Sequence, residues 1–104
     1  MLSFRCVSPL IDACLKIDSA GYGNTNVLTI QIQNVSSTEF MLQNRTGFTF
    51  HDHADVVTIK PGEKKTVQIR TVQRLSAVDL RFEVLNAVYA PNKHPSVVLK
   101  TVVR

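Results

Sequence analysis

Val27-Leu28-Thr29-Ile30-Gln31-Ile32-Gln33 is the stretch that decides the fold. Leu28, Ile30 and Ile32 alternate with Thr29, Gln31 and Gln33, and successive side chains of an extended strand point to opposite faces. One face of this segment is apolar and the other polar, as expected of a strand set between a core and water. A helix would scatter the same apolar residues around its circumference.

The same period of two recurs on both sides. Toward the C-terminus, Asn34 to Ser37 reads as a polar turn, and Thr38 to Gln43 as a strand burying Phe40 and Leu42. Asn44-Arg45-Thr46-Gly47 is a second turn, with Gly47 free to adopt a left-handed backbone. Phe48 and Phe50 share one face of a short strand. Val56 to Lys60 leads into Pro61-Gly62, where proline presets the first corner and glycine accepts positive φ at the second. Lys64 to Val72 alternates with Val67 and Ile69 inward. After a link from Gln73 to Ala77, Val78 to Leu85 places Leu80, Phe82 and Val84 on one face. Ala90 to Pro95 is a loop, and Ser96 to Val103 is the last strand.

Toward the N-terminus, Ser19 to Asn26 reads as a loop rich in Gly and Asn. Leu10 to Asp18 is expected to be a strand, with Ile11, Ala13, Leu15 and Ile17 on one face. Leu2 to Val7 is expected to be a short strand stopped by Ser8-Pro9. Roughly eight short strands with turn signals every eight to twelve residues predict an all-β, immunoglobulin-like antiparallel β-sandwich of about seven to nine strands. That term describes architecture only, because neither the disulfide nor the core tryptophan of antibody domains is expected. Residues 1–104 form one domain, and Arg74 to Val78 leaves room for no more than a single helical turn.

Composition agrees. The chain is 44% hydrophobic, too apolar for disorder, and rich in β-branched residues that suit a pleated surface. Residues 1–52 carry three basic and four acidic side chains, whereas residues 53–104 carry nine and four. Most of the basic residues alternate with apolar ones along strands, so they read as a solvated sheet face. No nucleic-acid partner is expected. No segment reaches the roughly 20 apolar residues of a membrane helix, and no membrane association is expected. Met1 to Val7 lacks the apolar core of a signal peptide, so a signal for export would have to lie upstream of it.

Cys6 and Cys14 are separated by about 26 Å of extended chain, far more than a disulfide spans. Only a reversal at Ser8-Pro9 would join them, and two buried free thiols are the expectation.

Candidate chemistry is sparse. In a continued strand, His51, His53 and Asp55 would project from one face, and two imidazoles with a carboxylate suit zinc. A polar loop is equally expected between two strands, with its histidines bonded to backbone or water, so these three are weak metal candidates. No metal or other cofactor is expected. Gly21-Tyr22-Gly23-Asn24 lacks the spacing and the following helix of a phosphate-binding loop. There is no G-x-S-x-G nucleophile elbow, and the acidic residues are scattered, so the chain reads as no enzyme. Tyr22 and Tyr89, in or beside loops, and the loop residue His94 are weak candidates for ligand binding or docking. The tyrosines would serve a carbohydrate- or surface-polymer-binding module, the alternative function for a sandwich of this size. Asn34-Val35-Ser36 and Asn44-Arg45-Thr46 are glycosylation sequons, relevant only on a eukaryotic secretory route.

Three segments together carry a family likeness: Gln43 to Val56 (QNRTGFTFHDHADV), Thr58 to Gly62 (TIKPG) and Phe82 to Pro95 (FEVLNAVYAPNKHP). From about Leu10 onward the chain resembles the C-terminal immunoglobulin-like domain of secreted, Bacteroidetes-type bacterial PHP-domain phosphoesterases. The resemblance implies a non-catalytic accessory domain, periplasmic or extracellular, whose protein partner is the adjacent catalytic domain of its parent chain. A glycan is the other partner considered, and the expected state is a monomer. It carries over no catalytic residue, since PHP domains supply their metal ligands from their own barrel. The histidines near His51 would then belong to a turn or to a docking surface.

Overall fold

The computed structural model describes residues 14–51, 54–86 and 95–104. Within them run β1 (Leu15–Tyr22), β2 (Val27–Asn34), β3 (Phe40–Asn44), β4 (Val56–Ile59), β5 (Lys64–Arg70), β6 (Ala77–Val84) and β7 (Ser96–Val102). All pairings are antiparallel, in one sheet of order β1-β2-β5 and another of order β4-β3-β6-β7. The expected sandwich is present. The strands expected over Leu2 to Val7 and Leu10 to Ala13 lie outside the described residues.

Alternation explains the core. Leu28, Ile30 and Ile32 of β2 are fully buried, as are Val67 and Ile69 of β5 and Leu80 and Phe82 of β6. The β2 and β5 residues face Phe40, Leu42, Val57, Ile59, Leu80 and Phe82 of the second sheet, so each sheet hides one apolar face against the other. Phe82 packs near Phe50, with ring centroids 6.1 Å apart. Truncating so buried an aromatic to alanine costs about 3–5 kcal/mol.

Three local expectations need correction. Residues 19–22 belong to β1 rather than to a loop. Pairing slips between Ile17 and Ser19, so Asp18 is an extra residue, a bulge that reverses the side-chain parity. Beyond it Ala20 is buried and Tyr22 packs against the core, an alternation the sequence hides by inserting one residue. Phe48 and Phe50 form no strand; Phe48 sits in a bend, and Phe50 makes a single bridge to Ile69. The third correction concerns Cys14, which is buried and disulfide-bonded rather than a free thiol. Cys6, the chain's other cysteine, lies outside the described residues.

Both open seams of the sandwich are stitched by backbone bonds. His51 N–H donates to the Gln68 carbonyl at 2.6 Å, and Arg104 N–H donates to the Ala20 carbonyl at 3.0 Å. These contacts shield sheet edges that would otherwise offer unpaired groups.

Turns follow their sequence signatures. Glu63 N–H donates to the Lys60 carbonyl at 3.0 Å across Pro61-Gly62, and Gly62 has φ 77°. Lys60 N–H donates to Glu63 Oε1 at 2.9 Å, and the Lys65 ammonium lies 3.3 Å from Oε2. These two contacts hold the Glu63 carboxyl below its ordinary value. Gly47 has φ 86°, as its turn requires.

Candidate functional site

Register fixes which loops share an end of the sandwich. Leu15 lies opposite Asn34, Gln33 opposite Lys64, Phe40 opposite Ile59 and Glu83 opposite Ser96. One end therefore gathers Cys14, residues 35–39, the Pro61-Gly62 turn, Asn86 and Pro95. The other gathers the β1–β2 turn, the β3–β4 connection, residues 71–76 and Arg104.

Those of the expected site residues that the structure describes share one end. Tyr22, His51 and Asp55 lie at the second end. Tyr89 and His94 lie outside the described residues. His53 is outside them as well. His51 is exposed, and Arg70 Nε donates to its Nε2 at 3.4 Å. Asp55 is exposed, and its carbonyl accepts from Asn44 N–H at 2.7 Å. Among the described residues no group of three or more His, Cys, Asp or Glu side chains is placed to hold a metal ion.

Tyr22 anchors the second end. Its hydroxyl lies 2.7 Å from Thr71 Oγ1, which in turn donates to the Gln73 carbonyl at 2.7 Å. The same phenolic oxygen accepts from Leu75 N–H at 3.1 Å. The Arg74 guanidinium lies 5.5 Å from the ring centroid, within cation–π range. Arg74 Nη2 also donates to the Gly23 carbonyl at 2.6 Å. Asn26 Nδ2 donates to the Val72 carbonyl at 3.0 Å, and Thr71 N–H donates to the Asn26 carbonyl at 2.9 Å. The β1–β2 turn and residues 71–75 thus form one hydrogen-bonded unit, with the tyrosine bonded into it.

That unit presents an apolar tip. Val72 is 94% exposed, and a shallow cavity of about 330 Å³ is lined by Phe48, Thr71, Val72, Gln73 and Leu75. Sequence reasoning did not single out Val72, but a signal was available. Val67, Ile69 and Thr71 set the inward parity of β5, and Val72 falls on the outward one. A larger cleft of about 570 Å³ lies at the β1–β7 seam, beside the Asp18 bulge, with Lys100 and Arg104 also on its wall.

The sequence from residue 15 to residue 100 matches a family model described as an Ig-like domain. No curated protein matches. Among solved structures, the chain is similar to a two-domain protein from Bacteroides vulgatus containing a predicted PHP-like metal-dependent phosphoesterase. The identity is 27%, the TM-score 0.64, and the match covers 89% of this chain but 27% of that one. The chain thus spans about a quarter of that protein's length. Two facing antiparallel sheets and a family match over most of the chain lead to one assignment: the protein belongs to the DUF5001 family of Ig-like domains.

Proposed function

We propose that this chain is a non-catalytic accessory domain that packs on, or positions, a metal-dependent phosphoesterase domain. The observation that carries the reading is the two-domain relative, of which this chain matches about a quarter while itself being covered over 89% of its length. The described residues support a non-catalytic role, since their polar side chains serve turns and sheet edges. The Cys14 disulfide supports a periplasmic or extracellular location, where such bonds persist. A sugar-binding role has less support, because the Tyr22 ring lies under Arg74 and its hydroxyl is bonded internally.

Two measurements test the proposal. The purified chain, assayed on p-nitrophenyl phosphate with manganese or zinc, is expected to show no turnover. It is expected to co-purify with a PHP-like phosphoesterase expressed from the genome that encodes it. Metal-dependent hydrolysis by the chain alone would refute the non-catalytic role, and failure to associate would refute the accessory one.

A further inference from the structure

We propose that the end of the sandwich built around Val72 is the surface that docks on the phosphoesterase domain, inserting Val72 and the Phe48–Leu75 wall into an apolar pocket rimmed by carboxylates. This rests on the accessory reading above and names the face that performs it.

The first argument is exposure combined with order. An isolated exposed valine needs no explanation. Val72, however, lies on a segment whose main chain is pinned on both sides. Asn26 fixes Thr71 N–H and the Val72 carbonyl, Thr71 Oγ1 fixes the Gln73 carbonyl, and Tyr22 fixes Leu75 N–H. A residue whose main chain is already held in one place loses less freedom when its side chain is buried against a partner, which is how pre-organised contacts raise affinity. The adjoining cavity gives a partner side chain a reciprocal place against Phe48 and Leu75.

The second argument is charge. Among the described residues of the segments that meet at this end, Arg45, Arg70, Arg74 and Arg104 stand against one acid, Asp55. Glu83 of β6 pairs with Arg45 at 2.8 Å. Arg70 lies against His51, a partner without negative charge, and Arg74 against the Tyr22 ring and backbone carbonyls. An apolar tip among cations complements an apolar pocket among acids, and such complementarity selects partners and steers their encounter. The third argument is the relative's organisation: about three quarters of that protein lies outside the match, leaving a second domain to be met.

The test is a titration of the intact, isotope-labelled chain with the PHP-like phosphoesterase, followed by amide NMR. Signals of Phe48 and of residues 71–75 are expected to shift or broaden first. Val72→Asp is expected to weaken binding at least tenfold, and Arg70→Glu several-fold with reduced salt dependence. Thermal midpoints should stay unchanged, since both side chains are exposed. Val72→Ser serves as a second variant if the aspartate perturbs folding. Binding that perturbs only the opposite end, at residues 35–39 and 60–63, would overturn this surface and leave the accessory role standing. Val72 variants that bind within twofold of the parent would do the same. Absence of any binding would remove both proposals, and saturable perturbation of Val72 by a polysaccharide in place of the protein would overturn this one.

Discussion

Asn34 and Asn44 end successive strands with the same set of bonds. Asn34 Oδ1 accepts from Ser36 N–H at 3.0 Å and Ser36 Oγ at 2.8 Å, while Nδ2 donates to the Thr38 carbonyl at 2.6 Å. Asn44 Oδ1 accepts from Thr46 N–H at 2.9 Å and Thr46 Oγ1 at 2.7 Å, while Nδ2 donates to the Phe48 carbonyl at 2.7 Å. The hydroxyl then caps the residue two further on, Thr38 or Phe48, at 3.1 Å. Each asparagine side chain imitates a backbone turn. The sequon pattern N-x-S/T is therefore structural at both positions, and the nitrogen that a glycan would need is engaged.

The two asparagines differ in burial, which ranks the cost of losing them. Asn34 is fully buried and also donates to the Ile59 carbonyl at 3.1 Å, tying one sheet to the other. Asn34→Ala is expected to cost about 3 kcal/mol, since it strands several buried partners. Asn44→Ala, at a half-buried site, is expected to cost about 1 kcal/mol. Urea denaturation measures both, and equal costs would contradict the inter-sheet role of Asn34.

The disulfide at Cys14 crosslinks the chain, and such a bond typically contributes about 2–4 kcal/mol. Thiol titration of the unfolded, unreduced protein is expected to find no free thiol. Reduction is expected to lower the thermal midpoint by roughly 10 °C. Two titratable thiols in protein prepared without reductant would contradict the bond.

Glu63 predicts a pH dependence with a definite sign. Its carboxyl is held low by Lys60 N–H and the Lys65 ammonium, so the folded state favours the ionised form. That contribution is fully present above the ordinary value of 4.5 and is lost as pH falls through the lower, folded value. Glu63→Gln should therefore sit below the parent in thermal midpoint at pH 6 and converge with it as pH falls below the folded carboxyl's lowered value. A difference that grows on acidification would reverse the assignment.

Arg70 sets an expectation for metal. Its guanidinium lies beside His51 Nε2, where a divalent cation would meet both a blocked lone pair and a like charge. One equivalent of zinc is expected to leave the thermal midpoint within about 1 °C, because only ligands that bind the native state stabilise it. A larger rise, abolished by His51→Ala, would show that the histidines are ligands.

Legibility followed the range of the interactions. Leu28, Ile30, Leu80 and Phe82 were readable as core because alternation needs only neighbours along the chain. Pro61-Gly62 and Gly47 were readable because their backbone chemistry is local. The Asp18 bulge defeated the same rule, since one inserted residue reverses parity and makes a strand resemble a loop. The Tyr22 anchor escaped because its partners stand 49 to 53 positions away.

By itself, then, the sequence determined the all-β class, the chief strands and the buried face of each, because side-chain period and turn chemistry act within a few residues. The tertiary structure alone decided that His51 lies against Arg70, that Tyr22 pins residues 71–75, and that Val72 stands clear of the core. Those outcomes depend on which strand edges meet. That is settled when two sheets close over a shared apolar interior, and no local pattern encodes it.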